Sequence, residues 1–145
     1  MFVNRRKVRI EWGDCDPAGI VFYPRYFAMF DHSTAMLLEA ATGYTKYRMR
    51  EVYDFVGFPM VDTGAKFFIP SKYGDDIVIE STISELGKSS FEISHKVWKG
   101  DKLAIEAHEK RVWVGPHPDD PGRIKSKPIP DEVANKLREK KTIEV

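Results

Sequence analysis

Near the start of the chain Val8, Ile10 and Trp12 alternate with Lys7, Arg9 and Glu11. This period of two sets one face of an extended strand against a core and the other in water. Gly13 ends it. Between Asp14 and Tyr23, Pro17 and Gly19 interrupt any regular helix or strand, which predicts an ordered loop. Pro24 suits the first position of a helix, where a missing N–H costs nothing. Tyr26, Phe30, Ser33, Leu37 and Ala40 then recur at helical spacing, Phe27, Met29, Met36 and Leu38 make further faces apolar, and Gly43 supplies a stop. A helix apolar on most sides is expected to be largely enclosed.

Residues 44–60, with Lys46, Arg48, Arg50 and Glu51, read as an irregular or short helical connection. From Val61 the period returns to two, through Val61–Ile69, Ile77–Ile83, Phe91–Val97 and Leu103–Ala107, which predicts four strands. Gly87 and the pair Gly100-Asp101 fit hairpin turns, and no helix-length crossover intervenes, so the strands pair antiparallel. Pro116, Pro118, Pro121 and Gly122 are expected to end the last strand, and Asp131–Lys141 to form a short polar helix. The fold class is α+β: a long helix of roughly 27 Å packed on strands of roughly 33 Å, with the sheet curved around it.

At 145 residues the expectation is one domain over 1–145, large enough to build a core without disulfides or a structural metal. A net charge of +1, from 23 basic and 22 acidic residues, gives no electrostatic case for nucleic acid or an anionic membrane as partner. The single cysteine excludes an internal disulfide, no apolar run approaches a membrane span, and no signal-peptide pattern opens the chain; a cytoplasmic protein is expected. No metal-ligand spacing and no glycine-rich phosphate loop occurs, so no metal or nucleotide cofactor is implied.

Candidate chemistry concentrates in Asp14-Cys15-Asp16-Pro17-Ala18-Gly19, directly before the helix. Unpaired N–H groups and the helix dipole make that end positive. In one reading Asp14 or Asp16 merely bonds the loop backbone. In the other, amides at Tyr23 and the helix start polarise a bound carbonyl while the Asp16 carboxylate attacks it or activates water, an acyl-transfer site. Cys15 is a rival nucleophile, although no histidine is close in sequence to serve as its base. Asp31 and His32 interrupt the most apolar helix; they either reach solvent or a neighbouring strand, or supply a recognition acid in a pocket. Glu39 is expected on a solvated face, and His95 and His108 are assigned no ligand role.

The stretch Glu11-Trp12-Gly13-Asp14-Cys15-Asp16-Pro17-Ala18-Gly19-Ile20-Val21-Phe22-Tyr23-Pro24, with Tyr26 and Asp31, resembles the 4-hydroxybenzoyl-CoA thioesterase family of hot-dog-fold proteins. The likeness continues more loosely through Gly57–Ile69, Tyr73-Gly74-Asp75-Asp76 and Lys88-Ser89-Ser90-Phe91. It implies a hot-dog domain that forms dimers or a tetramer of two dimers, with the active site between subunits. It also implies hydrolysis of an aromatic acyl-CoA to the free acid and coenzyme A, the coenzyme being part of the substrate. Asp16 would be nucleophile or general base, the Tyr23 amide would polarise the thioester carbonyl, and Asp31 would meet the hydroxyl end of the acyl group. Phe22, Tyr26, Phe27 and Lys88 are the further substrate-binding candidates. The chain departs from the pattern where a basic cluster is expected for the coenzyme A phosphates: Glu85-Leu86-Gly87-Lys88-Ser89-Ser90 holds only Lys88, with Lys72 or Arg25 as substitutes. Phe22 and Phe27 differ too, which leaves short aliphatic or other aroyl thioesters, and a non-catalytic acyl-CoA binding module, as alternatives.

Overall fold

The computed structural model describes residues 1–145. Its elements run β1 (Val3–Arg9), a 3-10 turn (Trp12–Asp14), α1 (Tyr23–Thr42), α2 (Lys46–Tyr53), β2 (Met60–Phe67), β3 (Asp76–Leu86), β4 (Ser90–Lys99), β5 (Lys102–Val112), β6 (Val114–His117), β7 (Asp120–Ser126), α3 (Asp131–Arg138) and β8 (Thr142–Glu144). Six strands form one sheet in the order β2-β5-β4-β3-β1-β8, antiparallel except for the short parallel pairing of β1 with β8. The four strands expected from the period of two are β2 to β5. Gly100 takes a left-handed φ of 62° in the turn that closes Lys99 on Lys102.

α1 ends as its sequence predicts: Gly43 adopts φ 80° and returns its N–H to the Glu39 carbonyl at 2.8 Å, a conformation that costs a residue with a Cβ roughly 1 kcal/mol or more. The helix is enclosed only in part, however. Tyr26, Phe30, Ser33, Thr34, Leu37, Leu38 and Ala41 are buried, while Phe22, Tyr23, Arg25, Asp31 and His32 stay exposed. On the second apolar face Leu38 is buried and Phe27, Met29 and Met36 are half-buried, so the exposed positions are the helix start and the polar residues.

Other departures have local causes. Trp12 leaves the strand because Glu11 and Asp14 close a capping box, and its ring is 76% exposed. Within 44–60, Thr45 caps α2 by accepting from the Arg48 amide at 3.1 Å. The proline-rich stretch after β5 does not end the strands but folds as the β6–β7 hairpin. The C-terminal helix stops at Arg138, and β8 beyond it closes the sheet edge beside β1.

The core has two apolar parts along α1. One gathers Leu37, Leu38, Phe91, Ile93 and Trp113; the other gathers Tyr26, Phe30, Ile77, Ile79 and Val97. Between them lies a buried polar chain. His95 on β4, fully buried, stacks on Phe30 at 5.1 Å between ring centroids. Its Nδ1 meets Ser81 Oγ at 2.7 Å, and its Nε2 meets Thr34 Oγ1 at 3.2 Å. Glu109 on β5 accepts from Thr34 and, at 2.9 Å, from Arg111 Nε. Burial pushes the Glu109 carboxyl upward, but the His95 ring nitrogen 3.5 Å away and the hydrogen bonds from Arg111 and Thr34 outweigh it and hold the pKa down at about 2.

Candidate active site

The two acids of the loop do different work. Asp14 is buried, and its carboxylate accepts from the Glu11 amide at 2.9 Å and from Arg25 Nε and Nη2 at 3.2 and 3.1 Å. Its carbonyl accepts from the Phe22 amide at 2.8 Å. It fastens the loop to the first turn of α1, and in doing so it engages Arg25.

Asp16 follows at the tip of a tight turn. Its Oδ1 accepts from the Ala18 amide at 2.9 Å, its own amide donates to the Ile20 carbonyl at 3.0 Å, and Gly19 at φ 83° turns the chain back. Its second carboxylate oxygen has no protein partner. The loop-bonding reading and the cavity reading thus coexist, one on each oxygen's side of the residue. Asp16 is half-buried in a cleft of about 340 Å³ with Trp12, Cys15, Pro17, Gly19 and Tyr73. Trp12 meets Tyr73 edge-on at 5.8 Å, forming an aromatic rim that the sequence patterns did not single out.

Directly after the loop, α1 begins without a side-chain cap and with no acid in its first turn. The amides of Val21, Phe22 and Arg25 bond the carbonyls of Ser71, Asp14 and Phe22; Pro24 has none to offer, and no bond engages the amide of Tyr23. That amide is a free donor at the positive end of a 20-residue helix. Tyr23 also borders a second cavity of about 190 Å³, walled by Tyr26, Phe67, Phe68, Ile69 and Ser71. The Tyr26 hydroxyl and Ser71 Oγ are buried there as neighbours without a well-formed hydrogen bond, and burial pushes the Tyr26 phenol pKa up against the opposing effect of Ser71.

The candidate residues divide by position. Phe22, Tyr23 and Phe27 surround the helix start, and with Phe67 they form an aromatic patch with centroid spacings of 6.0 to 6.5 Å. Asp31 lies four residues beyond Phe27, hence on the same face as Tyr23 and Phe27. Its side chain is 58% exposed, and its Oδ1 accepts from Arg111 Nη2 at 2.7 Å. It does reach a neighbouring strand.

Lys88 is not brought to this region. The loop joins the start of β3, where Ile10 and Asp75 are bonded at 2.8 Å, whereas Lys88 follows the far end of that strand. Eleven residues of strand separate the two by roughly 35 Å. Beside Lys88, Glu85 pairs with Glu92, and the hydrogen bond between these acids, with burial and like charge, raises the Glu92 pKa. The hairpin is thus poor in cations in structure as in sequence. Lys72, next to Tyr73, is an exposed cation near the cleft with no ion pair.

No three His, Cys, Asp or Glu side chains converge to hold a metal ion, and no helix is long and apolar enough to cross a membrane. His95, Glu109 and Arg111 are the residues that pattern reading passed over. The signal was present: Ile105, Ala107, Glu109 and Arg111 alternate on the inward face of β5.

An antiparallel sheet packed on one long helix, with an acid-bearing loop feeding the helix start, is the hot-dog architecture. The family description "Thioesterase superfamily" matches residues 18–106, beginning just after Asp16. The chain is 37% identical over 112 residues to the 4-hydroxybenzoyl-CoA thioesterase of Pseudomonas sp. (strain CBS-3), a match spanning 73% of this chain and 79% of that protein. The solved structure of the Pseudomonas enzyme superposes with a TM-score of 0.81 at 31% identity, covering 92% of this chain and 98% of that one. A gentisyl-coenzyme A thioesterase structure gives a TM-score of 0.78 at 30% identity, covering 93% and 99%. The chain belongs to the thioesterase superfamily.

Proposed function

We propose that this protein hydrolyses a hydroxylated aroyl-CoA thioester to the free acid and coenzyme A, with no cofactor. The observation that carries the reading is the free Tyr23 amide at the start of α1, on the loop that holds the unshared carboxylate oxygen of Asp16 in a cleft. The thioester oxygen would accept from that amide, which stabilises the negative charge developing as the carbonyl carbon becomes tetrahedral. The Asp16 carboxylate either takes a proton from water as hydroxide equivalent adds to the carbon, or attacks the carbon itself and is released by water afterwards. In the first route the C–S bond breaks and the thiolate takes up the proton held by Asp16; in the second the thiolate leaves as the anhydride to Asp16 forms, and water then adds to the acyl carbon, supplying the new carboxylate oxygen and the proton that the thiolate takes up.

Phe22, Tyr26 and Phe27 supply aromatic walls for the acyl ring, and Asp31, with one oxygen unbonded, accepts from the ring hydroxyl. Such a carboxylate favours a phenolic substrate and disfavours a bare ring, which leaves it without a partner. The names of the relatives, with 4-hydroxybenzoyl and gentisyl groups, support a hydroxylated ring.

The exposed aromatic patch and the bare edge of β2, with Met60, Val61, Phe67 and Phe68 exposed, are surfaces that a second copy would cover. A homodimer, or a tetramer of two dimers, would also let Lys88 of one copy approach the cleft of another. Light scattering is expected to give a multiple of the chain mass; a monomer at working concentration removes this part of the reading.

The test is release of free thiol from 4-hydroxybenzoyl-, gentisyl-, benzoyl- and short aliphatic-CoA. Hydroxylated aroyl thioesters are expected to give the highest kcat/KM. Higher values for aliphatic substrates would favour the short-chain alternative, and saturable binding without thiol release would make the chain a binding module.

A further inference from the structure

Arg111 is buried, its side chain only 4% exposed, yet it ends on a carboxylate that faces solvent. Its planar fork is fixed in three directions. Nε bonds Glu109 Oε1 at 2.9 Å, Nη1 bonds the Phe58 carbonyl at 3.2 Å, and Nη2 bonds Asp31 Oδ1 at 2.7 Å. The Phe58 ring lies 5.7 Å from the guanidinium carbon. Glu109 is itself held by Thr34, one turn after Asp31 on α1, and faces His95 at 3.5 Å. The chain Ser81–His95–Glu109–Arg111 therefore runs from the core to the outer face of the helix and stops at Asp31.

Two inward bonds are enough to satisfy Arg111 as a structural residue. The outward bond reaches a half-exposed acid, and ion pairs with an exposed member contribute only about 0–1 kcal/mol to stability. What it does accomplish is geometric. It clamps Oδ1, selects one rotamer of a side chain that would otherwise swing, and leaves Oδ2 unbonded on the helix face that carries Phe27 one turn earlier. A guanidinium suits this task because its donors are fixed in one plane, whereas a lysine ammonium on a flexible stem sets no direction.

We infer that Arg111 is a positioning residue for substrate choice, holding the Asp31 carboxylate so that its unbonded oxygen accepts from a ring hydroxyl of the acyl group. The inference rests on the proposed reading of Asp31. Displacing a recognition group by about 1 Å can cost up to about 10²-fold in rate, so losing the clamp has a measurable effect without removing the acid.

The experiment compares kcat/KM for 4-hydroxybenzoyl-CoA and benzoyl-CoA in the parent, Arg111→Lys, Asp31→Asn and the double variant. Arg111→Lys keeps a cation between Glu109 and Asp31, and is expected to lower the preference for the hydroxylated substrate, read as the ratio of the two kcat/KM values, roughly tenfold. Asp31→Asn should abolish the preference, and Arg111→Lys should then have no further effect on it. If Asp31→Asn leaves the preference intact, the reading of Asp31 fails; if Asp31→Asn abolishes it and Arg111→Lys does not lower it, the role of Arg111 fails. Should Arg111→Lys not fold, Arg111→Gln, which can still donate to Glu109, reads the same ratio. In the unaltered protein, a crystal structure with a non-hydrolysable 4-hydroxybenzoyl thioether should retain the Arg111–Asp31 bond, and a complex in which Asp31 has turned away overturns the inference without any variant.

Discussion

Asp16→Asn is expected to lower kcat by about 10³-fold with no loss of thermal stability. Asparagine keeps an oxygen to accept from the Ala18 amide, so the turn that Asp16 closes at 2.9 Å survives. What disappears is the negative charge that can remove a proton or form a bond to carbon. KM should change far less than kcat, since the acyl and coenzyme contacts remain. Cys15→Ala is the control: Cys15 lines the same cleft, but no histidine does, and its sulfur sits 3.7 Å from the Glu11 carbonyl. Full activity in Asp16→Asn, or its loss in Cys15→Ala, would transfer the chemistry to the thiol.

The second large effect concerns stability. Glu109→Gln removes the central anion of the buried chain and leaves Arg111 with Asp31 as its only anionic partner. Breaking a buried pair from one side costs about 3–5 kcal/mol, which for a chain of this size lowers Tm by roughly 10 °C. The pH dependence has a defined sign. Glu109 is held at about 2 against an ordinary 4.5, so its charged form is favoured by folding. That contribution, about 3 kcal/mol, is fully present above pH about 4.5 and is lost as the pH falls through about 2. The parent should therefore lose Tm over this acid range more steeply than Glu109→Gln. Parallel acid profiles with equal Tm at neutrality would show that the network contributes nothing to the fold.

Much of the fold was legible because it depends on local periods. The alternation through β3, β4 and β5, the helix entry at Pro24 and the exit at Gly43 each follow from neighbours a few residues apart. The loop was legible as the place where acids gather before the helix, but the division between them was not: only the fold brings Arg25 to Asp14 and leaves an oxygen of Asp16 unbonded. The buried chain was the least legible part. Thr34 and Glu109 are 75 positions apart and Asp31 and Arg111 are 80 apart, so their charges read as surface residues until the sheet places them inward. The enclosure of α1 was legible at its apolar positions, where Leu38 is buried and Phe27, Met29 and Met36 half-buried, but not at its start, where Phe22 and Tyr23 stay exposed.

The separation of duties between Asp14 and Asp16 has an evolutionary consequence. Since the buried neighbour fastens the loop, the proposed catalytic position can change to asparagine, which still accepts from the Ala18 amide, without penalty to assembly. A single base change converts an aspartate codon to an asparagine codon, so descendants that capture acyl-CoA and no longer consume it lie one mutational step away.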